Sequence, residues 1–166
     1  MPKIPLAILT IPNPRLRKRA EDIDAATLEK FRRDGFLDKL VETMEIADGV
    51  GIAATQVGVL HRIIVVLNGN TPTVYVNPTI TSRSMRTAID VEGCLSVPGI
   101  VGTVRRARNI TVRARNDRFE PVALRCKALV ARIFQHEVDH LDGVLFIDRA
   151  ISTSEVPKRA GSELRV

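Results

Sequence analysis

From about Lys127 to Leu141 the chain carries Leu129, Val130, Ile133, Phe134, Val138 and Leu141 at helical spacing, with Gln135-His136-Glu137-Val138-Asp139-His140 set among them. A helix with apolar residues on several sides is largely buried. Its two histidines therefore face an interior pocket and not bulk water. Histidines four apart project from one face, about a turn from each other, and can grip a single metal ion. A glutamate between them can act as a proton shuttle beside a metal-bound water, which is hydrolytic equipment.

A hydrolytic metal site needs a third protein ligand and one open position. The long metalloprotease pattern would put a third histidine where this chain has Phe146, although Gly143 falls where that pattern wants its glycine, so that reading fails. The chain has three histidines in all, and the remaining one, His61, opens the strand-like run His61-Arg62-Ile63-Ile64-Val65-Val66. Asp142, Asp148, Glu155 and Glu163 follow the helix, with little chain left to carry a supporting helix. Cys94, within Glu92-Gly93-Cys94-Leu95-Ser96, is the better candidate. A thiolate binds soft and borderline metals strongly, and the flanking glycine lets backbone approach closely. Taken alone Cys94 reads as a small buried residue, as Cys126 does.

Gly49-Val50-Gly51-Ile52-Ala53-Ala54-Thr55-Gln56, then Glu92-Gly93-Cys94-Leu95-Ser96, then Gln135-His136-Glu137-Val138-Asp139-His140 resemble the three motifs of the peptide deformylases, in that family's order. The resemblance extends through Ile8-Leu9 and Arg15-Leu16-Arg17, and from Leu141 to Asp148, covering most of the chain to about Arg149. It implies that Cys94, His136 and His140 hold one divalent metal, ferrous iron in the family, with zinc, nickel or cobalt as substitutes. A water would take the fourth position, and Glu137 would accept its proton as hydroxide attacks a formyl carbon, then pass the proton to the leaving amine. The oxyanion would rest against the metal, the side-chain amide of Gln56 and the backbone N–H of Leu95.

The implied substrate is the N-formylmethionyl end of a nascent polypeptide, and formate is released. Its first side chain would enter an apolar pocket lined by Val50, Leu95, Leu129 and Ile133, with Gly51 letting backbone approach the ligand. Such a pocket discriminates modestly, by about 1–3 kcal/mol per methylene. Asp139 and Glu92 read as supports for a ligand or for the helix, not as catalytic groups. Two departures from the family stand out. Val101 occupies the position where many members carry a peptide-contacting arginine, with Arg105 and Arg106 as nearby substitutes. The tail is shorter than the ribosome-docking extension of some members, so transient proximity to the ribosome is carried over and docking is not.

Two other readings remain open on sequence. One is another metal-dependent amidase or peptidase of the HExxH type. The other is a non-catalytic metal-binding module whose fourth ligand would come from His61, Cys126 or a carboxylate. The stretch from Gly49 to Ala54 also satisfies a short dinucleotide fingerprint, but a helix precedes it where a strand is required.

The expected fold is α+β, with antiparallel sheets packed around the central helix that carries HExxH. Residues 1–150 read as a single catalytic domain and 151–166 as a flexible, polar tail. A helix is expected from Asp24 to about Ala47, weakened by Gly35. Strands are expected at Ile63–Leu67, Thr73–Val76, Val101–Val104, Ile110–Ala114 and Phe119–Leu124, separated by Asn-Gly, Asn-Pro, Pro-Gly and Asn-Asp turn signals. No apolar run approaches the ~20 residues of a membrane span, and Met1-Pro2-Lys3-Ile4-Pro5 opens no secretory segment. The expected compartment is the cytoplasm, with organelle import not indicated. Net charge is +6, with basic residues at Arg15, Arg17, Lys18 and Arg19 and again from Arg105 to Arg118. The excess is compatible with an acidic partner such as RNA or the ribosome surface but reads first as a solvated basic face, and with no Trp and one Tyr the chain lacks aromatic interleaving for sequence-specific base stacking.

Overall fold

The computed structural model describes residues 5–156. Five antiparallel strands, numbered with the others in chain order, form one sheet in the order β1-β2-β3-β6-β7: β1 (Gly51–Ala53), β2 (Ile63–Asn68), β3 (Thr71–Arg83), β6 (Asn109–Arg115) and β7 (Pro121–Lys127). A second sheet has the order β4-β5-β8, from β4 (Thr87–Cys94), β5 (Val97–Ala107) and β8 (Ser152–Glu155). Helices α1 (Ala25–Arg33) and α2 (Phe36–Ile46) precede the sheets, and α3 (Ala128–Leu141) and the single turn α4 (Phe146–Arg149) follow β7. This is the expected α+β arrangement.

Helix α3 is the centre of the molecule. Every residue from Ala131 to Leu141 is buried. Its Ala131, Ile133, Phe134 and Leu141 pack on the inner face of the five-stranded sheet, against Ile64, Val66, Tyr75, Ile110, Val112, Ala114 and Cys126. Leu28, Leu37, Leu40 and Met44 of α1 and α2 close a second cluster over Ile52, Ile63, Val65 and Val76. Beneath the smaller sheet, Leu16, Val97, Val104, Leu145 and Phe146 pack around Cys94. Gly143, in the left-handed region at φ +75°, ends α3, and its N–H and that of Val144 return to the carbonyls of His140 and Asp139.

Three sequence expectations change in detail. The helix expected from Asp24 to Ala47 is two helices, because Gly35 adopts φ +70° and reverses the chain between them. Asp24 caps the first through the Thr27 N–H, as its residue type favours. The strand expected from Phe119 begins at Pro121, since Phe119 sits in the β6–β7 turn at φ +64° with its ring under the Arg115 guanidinium. The segment after Ile151 was read as unpatterned, yet Ser152–Glu155 pairs with β5 from Thr103 to Ile100. The remainder of that tail, residues 157–166, lies outside the described residues. Strand β4 went unread because its alternation, with Ile89 and Val91 on the exposed side, inverts the usual pattern.

Candidate metal centre

Strands β4 and β5 stay paired until Cys94 faces Val97, so Leu95 and Ser96 make the turn and Cys94 stands at the closed end of the hairpin. There its Sγ lies 3.2 Å from Nε2 of His140 and accepts the Ser96 N–H at 3.4 Å. Donor atoms of Cys94, His136 and His140 all lie within 4.8 Å of one another, and all three residues are buried. Nε2 of His136 and Nδ1 of His140 have no hydrogen-bond partner among the described residues. Buried polar atoms are nearly always satisfied, so an orphaned imidazole nitrogen beside a thiol and a second imidazole fits a bound cation. One sulfur and two nitrogens suit a borderline divalent metal.

Charge in the pocket points the same way. Burial, with the nearby Glu137 and Glu92 carboxylates, pushes the Cys94 thiol up to about 12 against the pull of the Ser96 and Val97 N–H groups. Burial, and then the electrostatic influence of His136 and Arg106, holds His140 well below the ordinary imidazole value. A divalent cation reverses the first shift and matches the second, since it binds thiolate and neutral imidazole.

Around these ligands lies a buried ion network. The Glu92 carboxylate is fully enclosed and accepts hydrogen bonds from Nδ1 of His136 (2.9 Å), Nε and Nη2 of Arg106 (2.9 and 3.0 Å) and Nη1 of Arg132 (2.7 Å). Burial opposes its charge, but hydrogen bonds from His136 and Arg106 outweigh it and hold Glu92 far below the usual carboxylate range. With Nδ1–H donated to Glu92, Nε2 of His136 presents its lone pair toward Cys94 and His140. Asp139 accepts from Nη1 of Arg106 at 2.5 Å and from Nε and Nη2 of Arg149 at 2.6 and 2.8 Å. It ties α3 to β5 and to α4. Arg106 is thereby committed between Glu92 and Asp139, and the exposed Arg105 bonds Thr87 Oγ1 at 3.4 Å. Val101 pairs with Ser154 of β8.

Glu137 is buried, and its Oε2 has no partner among the described residues. Burial, and then the charge of Glu92, raises it well above the ordinary carboxyl value. Strand β1 passes so close that a Cβ on Gly51 would lie 2.5 Å from Oε1 of Glu137 and 2.8 Å from Cγ2 of Ile133. Just beyond β1, Gln56 is oriented by its own strand: Oε1 accepts the Ala53 N–H at 2.8 Å. Its Nε2 therefore turns inward, 3.2 Å from Ser96 Oγ and 3.7 Å from Cys94 Sγ.

The structure thus brings together Cys94, His136, His140, Gln56, Leu95 and Ser96 at the hairpin tip, with Glu137, Gly51 and Ile133 alongside. Leu95 is buried and would touch a Cβ on Gly49, while Val50 packs at the edge of the α3 core. Leu129 stands apart: it is 49 % exposed at the first turn of α3, beside Ala88, Asp90 and Arg132 in a groove of about 180 Å³. His61 packs edge-on against Phe31 with ring centres 5.6 Å apart, and Cys126 lies in the sheet core, so neither joins the three ligands. Arg132 and Ser96 are contributors that sequence reasoning passed over. Arg132 precedes His136 by four residues, the spacing that puts both on one helix face.

A larger groove of about 700 Å³ opens between Arg19, Glu21, Arg62, Thr79, Val138 and Asp142, and none of the three ligands lines it.

The polypeptide deformylase family model matches residues 5–156. A peptide deformylase of Pelotomaculum thermopropionicum is 44% identical over 144 residues, spanning 86% of this chain and 90% of that protein. The crystal structure of peptide deformylase from Thermotoga maritima superposes with a TM-score of 0.83 at 39% identity, over 90% of this chain and 99% of that one. A Met-Ala-Ser-bound class I type b peptide deformylase from Acinetobacter baumannii gives a TM-score of 0.84 at 34% identity, over 89% and 99% of the two chains.

Proposed function

This chain belongs to the peptide deformylase family and is a metal-dependent hydrolase of N-formyl amides on nascent peptides, and we propose that Cys94, His136 and His140 hold its metal while Glu137 moves the proton. The observation that supports this assignment best is the convergence of three buried donor atoms within 4.8 Å, one of them the orphaned Nε2 of His136. A closed structural shell would need a fourth ligand, and His61 and Cys126 both lie elsewhere.

Held by Cys94, His136 and His140, a divalent cation would supply Lewis acidity to the site. Glu137 accepts the proton of the attacking water and returns it to the leaving amine, a role that suits a carboxyl whose affinity for protons is raised by burial. Gln56 donates from Nε2 to the oxygen on which charge develops, its orientation held by the Ala53 N–H, and the Leu95 N–H supplies the second donor. Val50, Gly51, Leu95 and Ile133 shape the pocket for the first side chain, whereas Leu129, expected there from the sequence, lies in a separate exposed groove. We assign ferrous iron as the working metal and the cytoplasm as the compartment. Transient proximity to the ribosome follows from the substrate, because formylated amino termini arise where chains are synthesised.

The test is formate release from formyl-Met-Ala-Ser by anaerobically purified, iron-loaded protein, with an unformylated peptide as control. Release is expected to fall by about 10²–10⁴ in Glu137→Gln, the range for loss of a general acid–base group. A folded variant that keeps its metal and its turnover would remove Glu137 from the mechanism.

A further inference from the structure

The outer face of β3, β6 and β7 is strongly basic. These three strands contribute Arg83, Arg113, Arg115, Arg125 and Lys127 and contain no aspartate or glutamate. Side chains alternate along a strand, so Val112, Ala114 and Cys126 point into the core, whereas Arg113, Arg125 and Lys127 are exposed on the other face. Register brings them side by side: Arg113 faces Ala123, Thr111 faces Arg125 and Asn109 faces Lys127. Shallow grooves of about 540 and 260 Å³ run between these strands, the first lined by Arg113 and Arg115 and the second by Arg83, Arg125 and Lys127. None of Arg83, Arg113, Arg125 and Lys127 has an ion-pair partner among the described residues. In the neighbouring groove, by contrast, Arg62 pairs with Asp142 at 2.7 Å and Arg19 reaches the same carboxylate at 3.8 Å.

We propose that this face is a docking surface for RNA, held through phosphates and not through bases. Like charges gathered on one face without counter-charges cost folding energy through self-repulsion, and a polyanion recovers that cost by releasing its condensed counterions. Seven-residue strands β6 and β7 offer cations over a length of about 23 Å, long enough to follow several successive phosphates. Thr79 and Thr111 add hydroxyls that can donate to phosphate oxygens. A folded acidic protein fits less well: interfaces between proteins depend on buried apolar anchors, and this face offers only Pro121 and Ala123. The absence of aromatic side chains on the face excludes base stacking. The surface lies on the opposite side of the sheet from α3, so RNA bound there leaves the metal centre open. This inference is independent of the assignment of the metal ligands.

The experiment measures binding of the metal-loaded full chain to a fluorescently labelled RNA duplex across a salt series, with phosphatidylserine vesicles as a second probe. Arg113→Glu/Arg125→Glu is compared with Lys30→Glu/Arg33→Glu, which makes the same change in net charge on the exposed face of α1. The wild type and the α1 variant are expected to bind RNA alike, whereas the sheet variant binds at least about tenfold more weakly, with a salt slope lower by about 2. Formate release from a free formyl peptide should be the same for all three, which shows that the sheet variant is folded. Equal losses in both variants would reduce the effect to overall charge and overturn the proposal. So would no RNA binding by the wild type, or tighter binding to vesicles that the sheet variant abolishes.

Discussion

Oε2 of Glu92 lies 2.9 Å from Nδ1 of His136, so a carboxylate on β4 determines which nitrogen of a histidine on α3 is free. The same carboxylate balances Arg106 and Arg132 in a space closed to water. Replacing Glu92 with Gln leaves Arg132 without a counter-charge and Arg106 with Asp139 alone, for which about 3–5 kcal/mol of destabilisation is expected. Metal affinity is expected to fall by about 10–100-fold, because the ring loses its orienting partner. Urea denaturation and competition with a metal-binding dye measure the two effects separately. A folded variant with undiminished affinity would restrict Glu92 to a structural role.

Gly51→Ala tests the close approach of β1 to Glu137. The added methyl meets Oε1 of Glu137 and Cγ2 of Ile133, so Glu137 must move or the strand must shift. Overpacking of this kind costs about 1–3 kcal/mol. Turnover of formyl-Met-Ala-Ser is expected to drop at least tenfold while one metal per chain is retained, since no ligand is touched. Unchanged kcat would mean that the carboxyl is not held where the geometry puts it.

Cys94→Ser replaces a soft donor with a hard hydroxyl at the hairpin tip. Purified without added metal, the variant is expected to hold well under one iron per chain by elemental analysis, and to release no formate. Wild-type protein stripped with a chelator should regain activity on anaerobic addition of ferrous iron. Activity that survives complete stripping would contradict a metal-dependent reaction.

Asp148 caps α4 through the Leu145 N–H and pairs with Arg17. Burial disfavours its charge, but the hydrogen bonds from Arg17 and Leu145 prevail and hold its carboxyl below the ordinary value. A carboxyl depressed on folding stabilises the fold above its unfolded pKa, near about 3.9, and that contribution fades as pH falls through the folded value. Asp148→Asn should therefore be less stable than wild type at neutral pH, with the gap narrowing below about pH 4. Urea midpoints at several pH values decide it; a constant gap would assign the loss to the cap alone.

What the sequence made legible was whatever repeats at short range. The four-residue interval between His136 and His140 and the apolar positions around it predict a buried helix with two histidines on one side, and α3 has that form. The partners of Glu92 were not legible, because Arg106 and Arg132 lie 14 and 40 residues away and only sheet register and helix packing bring them to it. Strand β8 escaped for a different reason: Ser152-Thr153-Ser154-Glu155 is exposed throughout, so it carries no burial pattern and owes its form to backbone pairing with β5. The basic face is divided between two strands, from Arg113 to Lys127, and strand pairing gathers it.

The candidate ligands come from two separate pieces of the fold, a hairpin tip and a helix, with Cys94 and His140 46 residues apart in the chain. An unfolded chain does not assemble such a set, so whatever free energy an ion contributes by binding is added to the stability of the native state. Each tenfold rise of free metal above its dissociation constant deepens that state by about 1.4 kcal/mol. The durability of the molecule is then partly a property of its surroundings: in a metal-poor medium the same polypeptide is less persistent as well as less active, and it becomes more exposed to proteolysis through its open states.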